Sequence, residues 1–387
     1  MKRSIQGTLQ LAALAFVVTL PLVGQSPETF TLDPDSPRWE LTGRTSVIEK
    51  AGRRCLALNG GAAGIKDFVM QDGIIDVHAL TSGARGFFGI QFRSDSLNSE
   101  YVYLRPHKSG EPDAVQYTPV LNTGLNWQLY TGPGFTNRMP VPRDTWLHLR
   151  LELRGSTARL FVGDTITPVL IMPDLKSGVR NGGVGLAVLM GETCFSEMTL
   201  RPLPSAPWEP VVVAMPAGIL SAWQISAAFD VAGQRLEQHL TAAQIDAMSW
   251  QSVTAESPGL VPISRYRPSP RPRVTFQTDF STRLQPQPGA QVVYARTVIA
   301  ADRAELRKLS FGYSDEVTVF LNGVPLFRGR SAQSFRDPAF LGIMDLENDA
   351  LFLPLRAGRN ELVLAVTELG GGWGFIARLD PTTPAVR

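Results

Sequence analysis

Seven polar and aromatic side chains recur at alternate positions of three successive strand-like segments in the first half of the chain. They are Asp76, His78, Gln91, Arg93, Tyr101, Tyr103 and Arg105. A period of two places alternate residues of a strand on one face of a sheet. If the three strands are neighbours, these side chains share a face. Such a mixture suits a polyhydroxylated ligand, because rings stack on sugar C–H surfaces while amides, carboxylates and guanidinium groups pair with hydroxyls.

The same face could also support catalysis. His78 is a candidate general base oriented by the Asp76 carboxylate, and Arg93 or Arg105 is a candidate for stabilising an oxyanion. Glycoside hydrolysis usually needs two carboxylates, and the chain lacks both a Glu-x-Asp-x-x-Glu run and a Gly-x-Ser-x-Gly nucleophile elbow. Three interpretations therefore stay open: ligand binding without chemistry, catalysis, and a solvated face on which Arg and Asp pair structurally.

The stretch Glu100–Tyr130 extends this candidate site. Its turn RPHKSGEPD contains His107, and turns at the edge of a sandwich commonly carry specificity. We therefore expect the segment Arg105–Asp113 to form a rim around the face. The ligand-binding candidates are Gln91, Arg93, Tyr101, Tyr103, Arg105, His107, Gln116, Tyr117 and Trp127.

Composition favours a chain of many short strands. The 387 residues suggest two domains or three, and 44% hydrophobic content is enough to bury real cores. The 35 Gly and 29 Pro residues are dispersed, which fits strands joined by turns. The net charge is +2 and there is no basic tract, so we expect no nucleic-acid partner.

The N-terminus has the order of a secretory signal. Lys2 and Arg3 precede an apolar run, Leu11–Val23, and small residues with Gln-Ser-Pro follow. The run is too short to span a bilayer. We therefore expect residues 1–25 to be a signal peptide of a secreted or periplasmic protein. An uncleaved anchor is the alternative; after signal cleavage we expect no membrane span.

Two further sets of residues could stabilise the fold. Cys55 and Cys194 lie near the two ends of the first domain, and export would permit a disulfide between them. Two buried free thiols are the alternative. In the second half, Asp337 and Asp349 are candidate ligands of a structural calcium ion, although their spacing follows no loop motif. We expect no other cofactor.

The order of the elements indicates an all-β protein. The clearest strand is Trp146–Arg154, in which four Leu residues alternate with polar or aromatic residues, a pattern typical of an antiparallel sandwich. The domain boundaries that we expect are 30–203 for a first sandwich, 204–216 for a Pro-rich linker and 217–387 for a second sandwich. In the second sandwich, Gln234–Ser249 reads as a helix with a capping box at Thr241 and Gln244, and Asn322-Gly323 reads as a hairpin turn.

Both halves resemble known carbohydrate-associated folds. The first, through GIIDVHAL, GFFGIQFRS, YVYLRPHKSG and WLHLRLELRG, resembles a concanavalin A-like (laminin G-like) jelly roll. It is similar to the domain of that class in 3-keto-disaccharide hydrolases. The second, through VTVFLNGVPLF, DALFLPLRAGRNELVLAV and GGWGF, resembles a galactose-binding-like jelly roll. These resemblances imply two tandem antiparallel jelly-roll sandwiches.

The expected function is carbohydrate binding by an exported, non-catalytic or accessory protein of bacterial glycan use. Its partner would be a polysaccharide or oligosaccharide. One alternative is a hydrolase or lyase that acts on a glycoside, for example a 3-keto glycoside, through the polar face of the first domain. Another is a structural or adhesive surface protein, because neither fold fixes a function by itself.

Overall fold

The computed structural model describes residues 28–163, 166–209, 213–268 and 289–381. The expected signal peptide, residues 1–25, lies outside these ranges. Within them the chain forms 23 strands, three short 3-10 turns and one five-residue α-helix, so the all-β expectation is confirmed. No helix in the described part is long and apolar enough to cross a membrane.

Thirteen strands between Phe30 and Pro202 form one large sheet, which folds into the N-terminal sandwich. In chain order they are β1 (Phe30–Leu32), β2 (Trp39–Lys50), β3 (Arg53–Ile65), β4 (Gly73–Thr81), β5 (Phe87–Ser94), β6 (Ser99–Leu104), β7 (Val115–Leu121), β8 (Gly124–Leu125), β9 (Thr136–Asn137), β10 (Leu147–Arg154), β11 (Thr157–Val162), β12 (Leu170–Met172) and β13 (Gly183–Pro202). The path through the sheet is β12-β11-β10-β4-β13-β5-β6-β7-β8.

The long strand β13 joins the two layers of this sandwich. Its first half pairs with β5 and its second half with β4, while its other edge pairs with β3 and β1. The register against β3 shifts between Val188 and Glu192, as expected where a sheet bends. Alternate apolar residues of both layers then meet in one core, for example Val77 and Leu149 from one layer and Ile90 and Val102 from the other.

This bend corrects a prediction from the sequence. β5 and β6 are neighbours, as expected. β4 is not a neighbour of β5, because the two strands follow one another along the same edge of β13. Asp76 and His78 therefore lie on the outer face of one layer, whereas Gln91, Tyr101 and Tyr103 lie on the outer face of the other. The seven side chains do not share one face.

Ten further strands form two sheets that pack as the C-terminal sandwich. They are β14 (Ala222–Asp230), β15 (Gln251–Thr254), β16 (Leu260–Pro262), β17 (Gln291–Ala301), β18 (Glu305–Ser314), β19 (Glu316–Leu321), β20 (Val324–Arg330), β21 (Asp349–Leu355), β22 (Gly358–Glu368) and β23 (Gly374–Leu379). The sheet orders are β15-β14-β17-β22-β19-β20 and β16-β23-β18-β21. The two sheets enclose a second core that includes Phe311, Leu364, Trp373 and Phe375.

Local signals in this half are partly confirmed. Asn322 and Gly323 both have positive φ, 50° and 81°, and connect β19 to β20 as the expected hairpin turn. The capping box of Thr241 and Gln244 is present, but the helix that it opens covers only Ala242–Asp246.

The prediction of a helix over Gln234–Ser249 is therefore wrong in length. Leu236 and Leu240 are buried against the outer face of the six-stranded sheet from irregular chain. The N–H of Leu240 also donates to the carbonyl oxygen of Gly323 at 2.8 Å. Packing on the sheet thus determines the path of the segment before Thr241.

Candidate functional site

The outer faces of β5, β6 and β7 form one surface of aromatic and polar side chains, Phe87, Gln91, Tyr101, Tyr103 and Gln116, here named the tyrosine face. Gln91 lies opposite Tyr101, and Tyr103 lies opposite Gln116. The rings of Tyr101 and Tyr103 stack with centroids 4.8 Å apart. Their exposed fractions are only 0% and 3%. The two tyrosines therefore form the floor of this surface and are not available as contact platforms.

Gln116 is the polar centre of the tyrosine face. Its Oε1 accepts hydrogen bonds from the Tyr103 hydroxyl at 2.8 Å and from the Arg105 guanidinium group. Its Nε2 donates to the backbone carbonyl oxygens of Trp127 at 2.9 Å and Tyr130 at 2.8 Å. Because the whole amide is used inside the protein and the residue is 1% exposed, Gln116 positions the surface and does not contact a ligand.

Arg105 lies among three aromatic rings. Its guanidinium carbon is 5.3 Å from the ring centroid of Tyr103, 5.7 Å from that of Phe87 and 5.8 Å from that of Trp127. Cation–π attraction at such distances stabilises the cluster, the more so where water is excluded. The guanidinium group also forms an ion pair with Asp113. The buried Arg105 thus fixes the relative positions of the rings around it.

Four partly exposed side chains form the rim of the tyrosine face: Phe87, Gln91, His107 and Trp127. The rings of Phe87 and His107 meet edge to face at 5.2 Å. His107 Nδ1 accepts a hydrogen bond from the backbone N–H of Gly86 at 3.4 Å, so the neutral ring carries its proton on Nε2. Burial, and then the neighbouring Arg and Lys side chains, lower the pKa of His107. The rim therefore offers two apolar rings, an imidazole N–H and an amide.

The prediction that Arg93 lies on this surface is wrong. Its backbone has a φ of 49°, at a point where the register of β5 against β13 shifts. The side chain is fully buried, and its guanidinium group donates to the carbonyl oxygens of Gln71, Gly155 and Gly178. It also forms an ion pair with Asp72 at 3.2 Å. A guanidinium group enclosed in this way is available neither to a ligand nor to an oxyanion.

The prediction for Tyr117 is wrong for a different reason. Tyr117 is one residue out of phase with Gln116, so its side chain points into the core. Its hydroxyl donates to Glu100 at 2.7 Å and accepts from the backbone N–H of Lys176 at 2.8 Å. Burial raises the pKa of this Glu100 carboxyl. Tyr117 therefore belongs to an internal polar cluster.

The outer face of β4 and β10 carries a second cluster, Asp76, His78, His148 and Arg150, here named the histidine face. His148 Nε2 lies 2.8 Å from Asp76 Oδ1, and the rings of His78 and His148 stack with centroids 4.9 Å apart. Asp76 thus orients His148 and not His78, contrary to the sequence prediction. Burial, followed by the charges of Arg53 and His148, lowers the pKa of His78.

The two cysteines and the two candidate calcium ligands have separate structural roles. Cys55 and Cys194 form a buried disulfide that joins β3 to β13. Asp349 Oδ2 accepts a hydrogen bond from the Tyr313 hydroxyl at 2.8 Å and pairs with Arg336. Asp337 accepts from the backbone N–H of Ala339 at 2.7 Å. The described residues include no group of three or more His, Cys, Asp or Glu side chains that could hold a metal ion.

Sequence reasoning misses three members of these surfaces, Phe87, His148 and Arg150. Phe87 lies four residues before Gln91 on β5, and alternate residues of a strand share a face. The alternation that places Gln91 on this surface is therefore sufficient to place Phe87 there too. From the sequence alone, His148 lies in the middle of a strand beside Trp146, and this position favours a structural role. Its partner Asp76 lies 72 residues earlier, and only the pairing of β10 with β4 brings them together.

No protein-family model and no curated protein matches the chain. Among solved structures, it is similar to the carbohydrate-binding module CBM66 from Bacillus subtilis, at 15% identity and a TM-score of 0.32 over 43% of this chain and 93% of that one. A Bacillus subtilis protein with a galectin-like fold matches at 12% identity and a TM-score of 0.36, over 46% and 96%. The exoplasmic/lumenal domain of VIP36, in its Ca2+/Man3GlcNAc-bound form, matches at 11% and 0.32, over 46% and 91%. Each of these similarities covers less than half of the chain.

Proposed function

We propose that this protein is an exported carbohydrate-binding protein of bacterial glycan use, and that a polysaccharide or oligosaccharide binds to the rim of the tyrosine face. The observation that carries the proposal is the composition of that rim. Two partly exposed rings, Phe87 and Trp127, lie on the surface that also presents the Gln91 amide and His107 Nε2–H. This set matches a sugar, which has apolar C–H faces and hydroxyl edges.

The floor beneath the rim supports binding without chemistry. Buried hydrogen bonds among Tyr103, Arg105 and Gln116 fix the surface before a ligand arrives, which lowers the entropy cost of binding. A Cβ atom at Gly89, between Phe87 and Gln91 on β5, would lie 2.0 Å from the carbonyl oxygen of Val102, so glycine allows the backbone of β6 to approach closely here. The Asp113 carboxylate near the rim pairs with Arg105 and lies 3.7 Å from Lys108 Nζ, so it belongs to the ion pairs that hold the floor.

Export is part of the proposal. The order of charged, apolar and small residues over 1–25 supports a cleaved signal peptide. A buried disulfide between Cys55 and Cys194 supports an oxidising compartment, since disulfides persist mainly outside the cytosol.

Affinity gel electrophoresis and a glycan array of the mature protein test the proposal. Trp127→Ala and Gln91→Ala should each reduce retardation by the recognised polysaccharide. The matched control is His148→Ala, which removes a partly exposed ring from the opposite layer and should leave retardation unchanged. Absence of binding by the wild type to any plant, algal or host polysaccharide would contradict the proposal.

A second candidate function, hydrolysis of a glycoside, is favoured by the histidine face. The carboxylate-oriented His148 stacks on His78, whose lowered pKa favours the neutral base form. Turnover of keto- and unmodified disaccharides by the wild type, His78→Ala and His148→Ala tests this candidate. A general acid or base contributes about 100-fold or more, so equal rates in all three proteins would exclude this mechanism.

A further inference from the structure

The side chain and backbone of Gln128 are bonded entirely to the C-terminal sandwich. Its backbone N–H donates to the carbonyl oxygen of Gly371 at 3.0 Å, and its carbonyl oxygen accepts from the N–H of Met344 at 3.0 Å. Its Nε2 donates to the carbonyl oxygen of Leu341 at 2.9 Å, and its Oε1 accepts from the Ser314 hydroxyl at 3.1 Å. Gln128 is 1% exposed, so the C-terminal sandwich encloses it completely. The four residues that bond to it, Ser314, Leu341, Met344 and Gly371, are here named the Gln128 seat.

Gly371 leaves the space that the side-chain amide of Gln128 occupies. Gly371 has a φ of 93°, and a Cβ atom built there would lie 2.1 Å from Gln128 Oε1. Only glycine therefore fits at that position while Gln128 is in place. Leu129 and Tyr130, which follow Gln128 in the chain, are also fixed on the C-terminal sandwich, because they pack with Leu260 and Met344.

The same loop carries Trp127. The N–H of Leu129 donates to the carbonyl oxygen of Asn126 at 3.1 Å, so Trp127 and Gln128 are the two central residues of a turn. Gln116 donates hydrogen bonds to the carbonyl oxygen of Trp127, within this turn, and to that of Tyr130, directly after it. The backbone around Trp127 is thus fixed by Gln116 from the N-terminal sandwich and by the Gln128 seat from the C-terminal sandwich.

We propose that Gln128 is a positioning residue for Trp127, so that the C-terminal sandwich sets the orientation of the aromatic platform on the N-terminal one. The inference rests on the proposed function, because it concerns the affinity of the same rim. Its consequence is that the two sandwiches act as one binding unit, although no strand pairing joins them in the described part of the chain. Gln128 contributes to affinity without touching the carbohydrate.

The test follows the Trp127 ring directly. The full-length mature protein, labelled with 5-fluorotryptophan, gives one 19F resonance for each of its seven Trp residues, and Trp127→Phe assigns the Trp127 signal. Gln128→Ala should shift or broaden that signal without ligand and weaken glycan binding about five-fold or more. Gln128→Met, which loses both side-chain hydrogen bonds but fills the same space with an uncharged side chain of similar length, should give a smaller effect and covers the case in which Gln128→Ala does not fold.

The matched control is Asn122→Gly. Asn122 Nδ2 donates to the carbonyl oxygens of Ser264 and Arg265. Asn122→Gly therefore removes two side-chain hydrogen bonds between the N-terminal and C-terminal sandwiches, the same number that Gln128→Ala removes. Glycine accommodates the positive φ of this position. Asn122→Gly should leave the Trp127 signal and glycan affinity unchanged.

An unchanged Trp127 signal in both Gln128 variants, or an equal shift in Asn122→Gly, would overturn the inference. If no glycan binds the wild type while the Trp127 signal still moves, the proposed function fails and the positioning role stands. If glycan binds and depends on Trp127 but not on Gln128, the proposed function stands and the positioning role fails.

Discussion

The side-chain amide of Gln116 donates a hydrogen bond to the backbone carbonyl oxygen of Trp127 at 2.9 Å. This bond connects the buried floor of the tyrosine face to the exposed ring at its rim. Gln116→Leu would leave the Tyr103 hydroxyl, the Arg105 guanidinium group and two carbonyl oxygens without this partner. We expect a loss of about 3 kcal/mol or more in unfolding free energy, measured by urea denaturation.

Gln91→Leu is the control for this prediction. It makes the same chemical change on the same sheet face, but at a partly exposed position, so its effect on stability should stay within about 0.5 kcal/mol. Equal losses in the two variants would show that the Gln116 network contributes nothing specific.

Removing the disulfide should destabilise the N-terminal sandwich. Cys55 and Cys194 are 139 residues apart in sequence, and a cross-link over a long loop restricts the unfolded chain strongly. The double variant Cys55→Ala/Cys194→Ala should lose about 2–5 kcal/mol in chemical denaturation. A reducing agent should lower the wild-type midpoint to that of the variant and leave the variant unaffected. Identical midpoints without reductant would contradict a stabilising bond.

The buried Asp315 should make stability rise as the pH falls through neutrality. Burial raises the pKa of its carboxyl to about 7, well above its ordinary value of 3.8. Below about pH 7 the folded protein therefore takes up a proton before the unfolded chain does, which favours folding by at most about 1.4 kcal/mol per pH unit. The measurement is the unfolding free energy of the wild type and of Asp315→Asn over a series of buffers from about pH 8.5 down to about pH 5.5.

The comparison with Asp315→Asn isolates this group. The lowered pKa values of His78 and His107 act in the opposite sense, since neutral imidazoles in the fold lose stability as the pH falls below about 6.5. These contributions cancel in the difference between the two proteins. The wild-type advantage should grow on acidification; parallel pH profiles would show that Asp315 does not titrate in this range.

A chelator should leave the melting temperature unchanged. Tyr313 and Arg336 engage the Asp349 carboxylate, and the N–H of Ala339 donates to one oxygen of Asp337, so a calcium ion would have to compete with these partners. A tightly bound ion would stabilise the folded state by mass action. A lower melting temperature in EDTA, absent from Asp349→Asn, would instead establish the calcium site.

The sequence predicts this fold well where the signals are local. The alternation of leucines in β10, the Asn322-Gly323 turn and the capping box at Thr241 all have the expected local structure. Each of these signals depends on residues within a few positions of one another. The helical pattern overestimates the extent of the α-helix, because burial of Leu236 and Leu240 on a distant sheet competes with it.

The composition of the candidate site is harder to predict, because it depends on long-range pairing. The expectation of a shared face fails where β13 turns the sheet between β4 and β5. Arg93 leaves the pattern at a register shift, and no signal in its own segment marks that shift. Nothing local marks Gln128 either, since its partner Leu341 lies 213 residues further along the chain.

The two-layer pairing of β13 has a consequence for how the chain matures. β1, β3, β4 and β5 all require β13 as a partner, and β13 is the last strand of the N-terminal sandwich to be synthesised. Contacts of such sequence separation form slowly. While the chain is being synthesised, these four strands therefore keep an unpaired edge, a state prone to aggregation. The sandwich can close only after synthesis has passed Pro202, the last residue of β13.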